Sequence, residues 1–171
     1  TADLTWALLL ATARRIVECD KFVRSGQKSW SPMNLLGTQI TGKTLGIVGG
    51  GRIGQAVARR AQGFKMNVIY TDVQKIPAFE AATAGKFVDK DTLVKSADFI
   101  SVHVPLLPST RHLFGANECK LMKKTAILIN TARGPIIDEK AMVEALREGQ
   151  LAGAGLDVFE QEPDLMDGLS E

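Results

Sequence analysis

The chain has 171 residues, 45% of them hydrophobic and 23% charged, with a formal net charge of +2. That composition suits one domain with enough apolar chain for a core, and the charge is too small and too evenly spread for a nucleic-acid footprint. Cys19 and Cys119 make neither a disulfide framework nor a metal-ligand spacing, and the longest apolar run, Trp6 to Ala11, is far too short to span a bilayer. Two such thiols fit buried or half-buried places in a reducing compartment. Asp3 before the apolar run, with Arg14 and Arg15 after it, reverses a signal peptide's charge order, so the expected location is the cytoplasm.

Helical spacing opens the chain. Leu4, Ala7, Leu8, Ala11, Arg15, Ile16 and Cys19 recur every three or four residues, which predicts one helix over 2–24 with Asp3 in its first turn. Leu9, Leu10, Ala13 and Val17 add a second apolar side. Two readings fit that pattern: a helix packed on its own sheet, or one shared with a partner subunit or another domain. Residues 25–41 follow as an irregular stretch with Gly, Ser and Pro, yet it carries Trp30, Met33, Leu35, Leu36 and Ile40. A solvated linker would not hold so much apolar surface, so this stretch is expected to dock. Together, residues 1–41 form an arm expected to make a homodimer or interdomain contact.

Residues 44–72, TLGIVGGGRIGQAVARRAQGFKMNVIYTD, read as strand, glycine turn, helix, strand and terminal acid. Gly49, Gly51 and Gly54 supply G-x-G-x-x-G. The first bends the chain, the second lets backbone approach a pyrophosphate, and the third lets the helix pack close on the strand. Ile53, Ala56, Val57, Ala61 and Phe64 line one helical face, and the unpaired N–H groups where that helix starts make an anion site. Asp72 lies about 20 residues beyond the glycines, where an acceptor for ribose hydroxyls belongs, and this favours NAD over NADP. Three glycines alone more often make an ordinary loop; the flanking strands, helix and Asp give them their meaning.

Further on, short elements alternate: a helix near 79–84, a strand at 86–88, a helix over 89–97 and a strand over 98–104 stopped by Pro105 and Pro108. A helix over 116–122, a strand over 125–130, a helix over 138–148 capped by Asp138, and a last strand over 152–159 complete the chain. The alternation implies an α/β fold: a doubly wound, mostly parallel sheet of the Rossmann type with flanking helices, its core over 42–163. Ligands of such sheets sit beyond the carboxyl ends of strands. The residues there are Gly51, Arg52 and Ile53; Asp72; His103 and Pro105; Thr131, Ala132 and Arg133; and Asp157, with Glu162 just beyond.

Five segments carry a resemblance: TADLTWALLLATARRI, GKTLGIVGGGRIGQAVA, DFISVHVPLLPSTRHLF, LMKKTAILINTARGPIIDE and ALREGQLAGAGLDVFEQEP. On them the chain resembles, over nearly its whole length, the NAD-binding domain of the D-isomer-specific 2-hydroxyacid dehydrogenases. It is most similar to the glyoxylate/hydroxypyruvate reductase branch, with phosphoglycerate dehydrogenases second. The resemblance implies that Arg52 and Ile53 meet the pyrophosphate and Asp72 the adenosine ribose. It implies that His103, Val104 and Pro105 border the cofactor and that Thr110 lies beside it. Thr131, Ala132 and Arg133 would approach the nicotinamide through backbone, and Asp157 would hold its carboxamide. The Arg133 side chain would also bind the carboxylate and carbonyl oxygen of a small 2-oxo acid, and Glu162 would pair with a catalytic histidine. No metal is implied.

That assignment is chemically coherent. An arginine fork grips a carboxylate with two donors where lysine cannot, and a carboxylate beside a histidine raises its pKa and suits it to proton donation. Neither His103 nor His112 stands where the family's motif has its histidine, so that residue and the family's substrate domain are expected outside these 171 residues, and the chain alone is expected to be inactive. The competing reading is a non-catalytic, NAD-dependent dimeric regulatory module of the same fold.

Overall fold

Alternation along the strands decides the architecture. Leu45 and Ile47 of β1 (Thr44–Val48) pack into one core and Val48 into another, and the same division recurs in β4 (Phe99–Val102) and β5 (Ile127–Asn130). A sheet with both faces apolar must be covered on both sides. In the computed structural model, which describes residues 1–28, 31 and 33–169, that is the arrangement. With β2 (Asn67–Thr71), β3 (Lys86–Phe87) and β6 (Gly153–Leu156), the strands form one sheet in the order β3-β2-β1-β4-β5-β6, every pair parallel.

One face carries α1 (Ala2–Ala13), α3 (Arg52–Ala61) and α4 (Pro77–Thr83), through Trp6, Leu9, Val57 and Phe79. The other carries α5 (Lys90–Ser96), α6 (Ala116–Leu121) and α7 (Glu139–Arg147), through Leu93, Cys119 and Met142. Asp89 and Asp138 cap α5 and α7, each accepting a hydrogen bond from a backbone N–H three residues on. The sheet is the doubly wound α/β fold expected, and wholly rather than mostly parallel.

The opening helix differs from expectation. It breaks after Ala13, where Arg15 takes a left-handed φ of 54°, and resumes as α2 (Ile16–Arg24). The physical reason is registry with the sheet: Leu9 and Ala13 are buried, whereas none of the residues of α2 is. Among the described residues the stretch after α2 docks at its far end, where the Thr38 N–H donates to the Ala13 carbonyl at 2.7 Å and Ile40 is buried. Met33 and Leu36 stay exposed, and Trp30 lies outside the described residues. Cys19 is half-buried and Cys119 buried, both free, and burial pushes the Cys119 thiol up to about 11. Among the described residues no helix is long and apolar enough to cross a membrane, and no group of three or more His, Cys, Asp and Glu could hold a metal ion.

Candidate functional site

Strand β1 lies between β2 and β4, so the chain leaves its carboxyl end where the winding of the sheet reverses, the place where such folds open a crevice. The turn there needs its glycines for three separate reasons. Gly49 has a φ of +101°, and a Cβ on it would meet the His103 backbone at 2.8 Å. A Cβ on Gly54 would lie 2.1 Å from the Gly49 carbonyl oxygen, so α3 can start against β1 only if this residue has none. Gly51, with an ordinary φ of −68°, has nothing within 4 Å of where its Cβ would stand, and it opens the first turn of α3 to an approaching group.

Asp72 braces this turn. Its Oδ2 accepts from the Gly50 N–H at 2.8 Å and its Oδ1 from the Val73 N–H at 2.7 Å. A carboxylate has about four acceptor positions, so two remain for hydroxyl donors. Gln55 Nε2 steadies the turn from the other side by donating to the Gly50 carbonyl at 3.1 Å.

Beyond the turn lies a cleft of about 680 Å³ lined by Arg52, Ile53, His103, Val104, Pro105, Leu106, Thr131, Ala132, Arg133 and Thr1. It therefore joins residues from the exits of β1, β4 and β5. Thr131 is buried, its hydroxyl 2.9 Å from that of Thr5 in α1. The turn carrying Arg133 is held by one side chain: Asn130 Nδ2 donates to the Arg133 carbonyl at 2.9 Å and Asn130 Oδ1 accepts from the Ala132 N–H at 3.0 Å. The Arg133 guanidinium is exposed and gives one of its N–H groups to the Ala132 carbonyl at 2.6 Å. Burial pushes the pKa of His103 down to about 4, so its ring is neutral at pH 7, with Nε2 2.8 Å from the Ser101 hydroxyl.

Besides Gly49, Gly51 and Gly54 of the turn, four of the expected residues stand outside that lining. Asp72 is at the exit of β2 under the glycine turn. Thr110 uses its hydroxyl to bind the Pro105 carbonyl at 2.7 Å and to accept from the Leu107 N–H at 2.8 Å, which shapes the cleft's rim. Asp157 is exposed just past β6, its N–H bonded to the Asn130 carbonyl. Glu162 is exposed in the next turn, where its Oε1 accepts from the Phe159 N–H at 2.8 Å. Thr5, Gln55 and Asn130 are supporting residues that motif reading missed. Only Asn130, a polar residue closing an apolar strand, left a signal in the sequence.

The family model described as D-isomer specific 2-hydroxyacid dehydrogenase, NAD binding domain, matches residues 6–169. The glyoxylate reductase of Thermococcus litoralis is 58% identical over 168 residues, covering 95% of this chain and 51% of that protein. A solved glyoxylate reductase from Paecilomyes thermophila superposes with a TM-score of 0.91 at 42% identity, covering 99% of this chain and 51% of the other. The NAD-complexed form of a D-isomer specific 2-hydroxyacid dehydrogenase from Lactobacillus delbrueckii ssp. bulgaricus matches with a TM-score of 0.85 at 39% identity, over 94% of this chain and 48% of the other. The chain thus spans about half the length of the relatives it matches.

Proposed function

Because the chain belongs to the D-isomer specific 2-hydroxyacid dehydrogenase family as its NAD-binding domain, we propose that it forms the cofactor half of an enzyme interconverting a small 2-oxo acid, such as glyoxylate or hydroxypyruvate, and its 2-hydroxy acid. The observation that carries this reading is the cleft itself, which sets Arg52 and Ile53 at the start of α3 and the turn of Thr131, Ala132 and Arg133 on shared walls. The open backbone at Gly51 fits a pyrophosphate, since the first N–H groups of a helix and its positive end favour an anion. NAD, when bound, supplies the hydride donor or acceptor. Arg52 and Ile53 would hold its pyrophosphate and Asp72 its ribose. His103, Val104 and Pro105, on a rim shaped by Thr110, would border it, and Thr131, Ala132 and Asp157 would hold its nicotinamide end.

The remaining tasks fall to the chain's own side chains. Arg133 keeps further N–H donors beyond the one given to Ala132, and these suit a carboxylate and the adjoining carbonyl oxygen of the substrate. Asn130 fixes the backbone of that turn, so the guanidinium is presented from a set position. Glu162 has one oxygen committed to the Phe159 N–H, and the other can accept from a histidine and favour its protonated form. In this reading the arm is 1–41 and the core 42–163, and the substrate domain and histidine belong to a part of the enzyme beyond these residues. Homodimer contact falls on α2 and the stretch after it, and free Cys19 and Cys119 fit a reducing compartment such as the cytoplasm.

The test has two arms. These 171 residues should bind NADH. An enzyme carrying this domain with its substrate-binding part should reduce glyoxylate or hydroxypyruvate, with Arg133→Lys lowering kcat/KM by about 10- to 100-fold and NADH affinity little changed. NADH binding without reduction of any small 2-oxo acid would overturn the enzyme reading in favour of a regulatory module.

A further inference from the structure

Away from the cleft, two chain segments converge on a carboxylate of a third. Glu160 Oε1 accepts from His112 Nε2 at 2.6 Å and from Arg111 Nη2 at 3.2 Å, and Oε2 accepts from the Glu139 backbone N–H at 3.4 Å. The Glu160 N–H in return donates to Glu139 Oε1 at 2.6 Å. Glu139 is 2% exposed, and its Oε2 is buried with no hydrogen-bond partner among the described residues. Burial, with Glu160 and Glu162 close by, holds the Glu139 carboxyl above the ordinary carboxylate range. A buried carboxylate satisfied at one oxygen only is costly. Folding alone would be served as well by an apolar residue at the start of α7.

Backbone contacts join the same segments. His112 donates its N–H to the Pro135 carbonyl at 2.9 Å, and Phe114 and Ile137 form a parallel bridge. Gly134 lies so close to Phe159 that a Cβ on it would stand 1.9 Å from the Phe159 carbonyl oxygen. The 159–162 turn is therefore gripped twice, by Gly134 at its first residue and by Glu139, His112 and Arg111 through Glu160. Arg133 immediately precedes the first grip. Glu162 closes the turn with its bond to the Phe159 N–H.

We propose that Glu160 is a positioning residue, which locks the turn bearing Glu162 to the segment bearing Arg133 so that the two side chains keep one spacing. The proposal rests on the reading of Arg133 and Glu162 given above. Glu160, His112 and Glu139 do not line the cleft. They act through the turn and not on a bound molecule. The charged and titratable groups facing Glu160 are Arg111 and His112 from one segment and Glu139 from α7, with Glu162 in its own turn.

The experiment uses an enzyme carrying this domain with its substrate-binding part. In Glu160→Ala, kcat for 2-oxo acid reduction should fall about 10- to 100-fold, the scale of a misplacement of about 1 Å. The dissociation constant for NADH should stay within about threefold, because the cofactor cleft is untouched. The alkaline limb of the kcat/KM profile should move to lower pH, since a displaced Glu162 supports the protonated histidine less. If Glu160→Ala does not fold, His112→Asn carries the test. Asparagine tolerates the left-handed φ of 48° at this position and lacks the reaching Nε2, and the loss expected is about three- to tenfold. A folded variant with unchanged kcat and pH profile overturns the proposal, as does a loss confined to NADH affinity. Glu162→Gln separates the two ideas. If it leaves kcat and profile unchanged, the reading of Glu162 fails and the proposal with it. If it impairs both while Glu160→Ala does not, the positioning role alone fails.

Discussion

Arg14 and Arg15 alone separate α1 from α2, yet the two helices are held in opposite ways. In α1 the Trp6 indole N–H donates to the Val57 carbonyl at 3.1 Å, its ring stacks on Phe64 at 4.9 Å, and Thr5 meets Thr131. This helix thus ties α3, which starts at the glycine turn, to the exit of β5, which leads to Arg133. In α2 the fixed contacts are exposed ion pairs, Arg15 with Glu18 and Arg24 with Asp20, each worth about 0.3–0.5 kcal/mol. Ile16, Val17 and Val23 of α2 are 56%, 59% and 75% exposed. Apolar content does not distinguish such helices; phase against the sheet does. Damage in α1 should therefore reach the cofactor cleft, and damage in α2 should leave the fold alone.

The largest effect should come from Trp6→Ala. It removes a buried aromatic, a ring stack and the donor to Val57, and should lower unfolding free energy by about 3–5 kcal/mol in urea denaturation. NADH affinity should fall as well, because α3 and Thr131 both lean on α1. A loss below about 1 kcal/mol, the range of unremarkable surface changes, would mean that α1 is no more integral than α2.

His103 offers the next test, through pH. Its folded pKa of about 4 lies below the ordinary 6.5, because burial disfavours the charged ring. The unfolded chain therefore binds a proton that the folded chain refuses, and stability falls as pH drops from 6.5 toward 4. Between pH 7 and 4.5 the cost from this one group should be about 2–3 kcal/mol. His103→Asn should flatten that part of the stability curve relative to the parent chain. Glu18 is held below its ordinary 4.5 chiefly by its hydrogen bond from Arg15, so its contribution is lost only as pH falls through and below 4.5, and Glu18→Gln in α2 should leave the slope above about pH 5.5 unchanged. Equal slopes in His103→Asn and the parent would show that the cleft wall is wetter than its geometry implies.

Smaller again is the discrimination between cofactors at Asp72. One further negative charge about 4 Å from a carboxylate costs roughly 4 kcal/mol at an effective dielectric near 20. Exposure and salt bring this to about 1–3 kcal/mol, or about 5- to 150-fold tighter NADH than NADPH. Lys75, the cation in the loop that follows, is already paired with Glu80 at 3.1 Å and is poorly placed to offset the charge. Asp72→Asn should narrow the ratio. Equal binding of both cofactors by the parent chain would refute the reading of this strand end.

Much of this architecture was legible because it depends on neighbours in sequence. Strands β1 and β2 each end where the run meets its next neighbour in sequence, Gly49 in one case and Asp72 in the other. The break at Arg15 was not legible, because a left-handed arginine carries no signal that a glycine would have carried. The role of Thr5 depends on what the fold brings opposite it, the Thr131 hydroxyl. Glu162 was marked by its place just beyond a strand exit and by resemblance, whereas Glu160 became conspicuous only once Arg111, His112 and Glu139 were seen around it. Local chemistry writes strands and turns into a sequence; long-range partners leave no trace there.

The smallest effect on the fold, and the sharpest contrast with Trp6, should come from Val17→Asp and Leu36→Asp. Both residues are more than half exposed, at 59% and 57%, so unfolding of the monomer should change by no more than about 0.5 kcal/mol. Association should respond differently. Ile16, Val17, Val23, Met33 and Leu36 are all exposed, and a homodimer contact on this arm would bury them. A carboxylate introduced at such a contact would have to lose its water without gaining a partner, a cost of about 3 kcal/mol or more and hence at least about 100-fold in dimer affinity. Light scattering at micromolar concentration should return a dimer mass for the parent chain and a monomer mass for either variant. Unfolding midpoints should depend on protein concentration for the parent alone. A parent chain that scatters as a monomer, or a Val17→Asp variant that stays dimeric, would leave the exposed face of α2 without its proposed partner and move the contact elsewhere on the molecule.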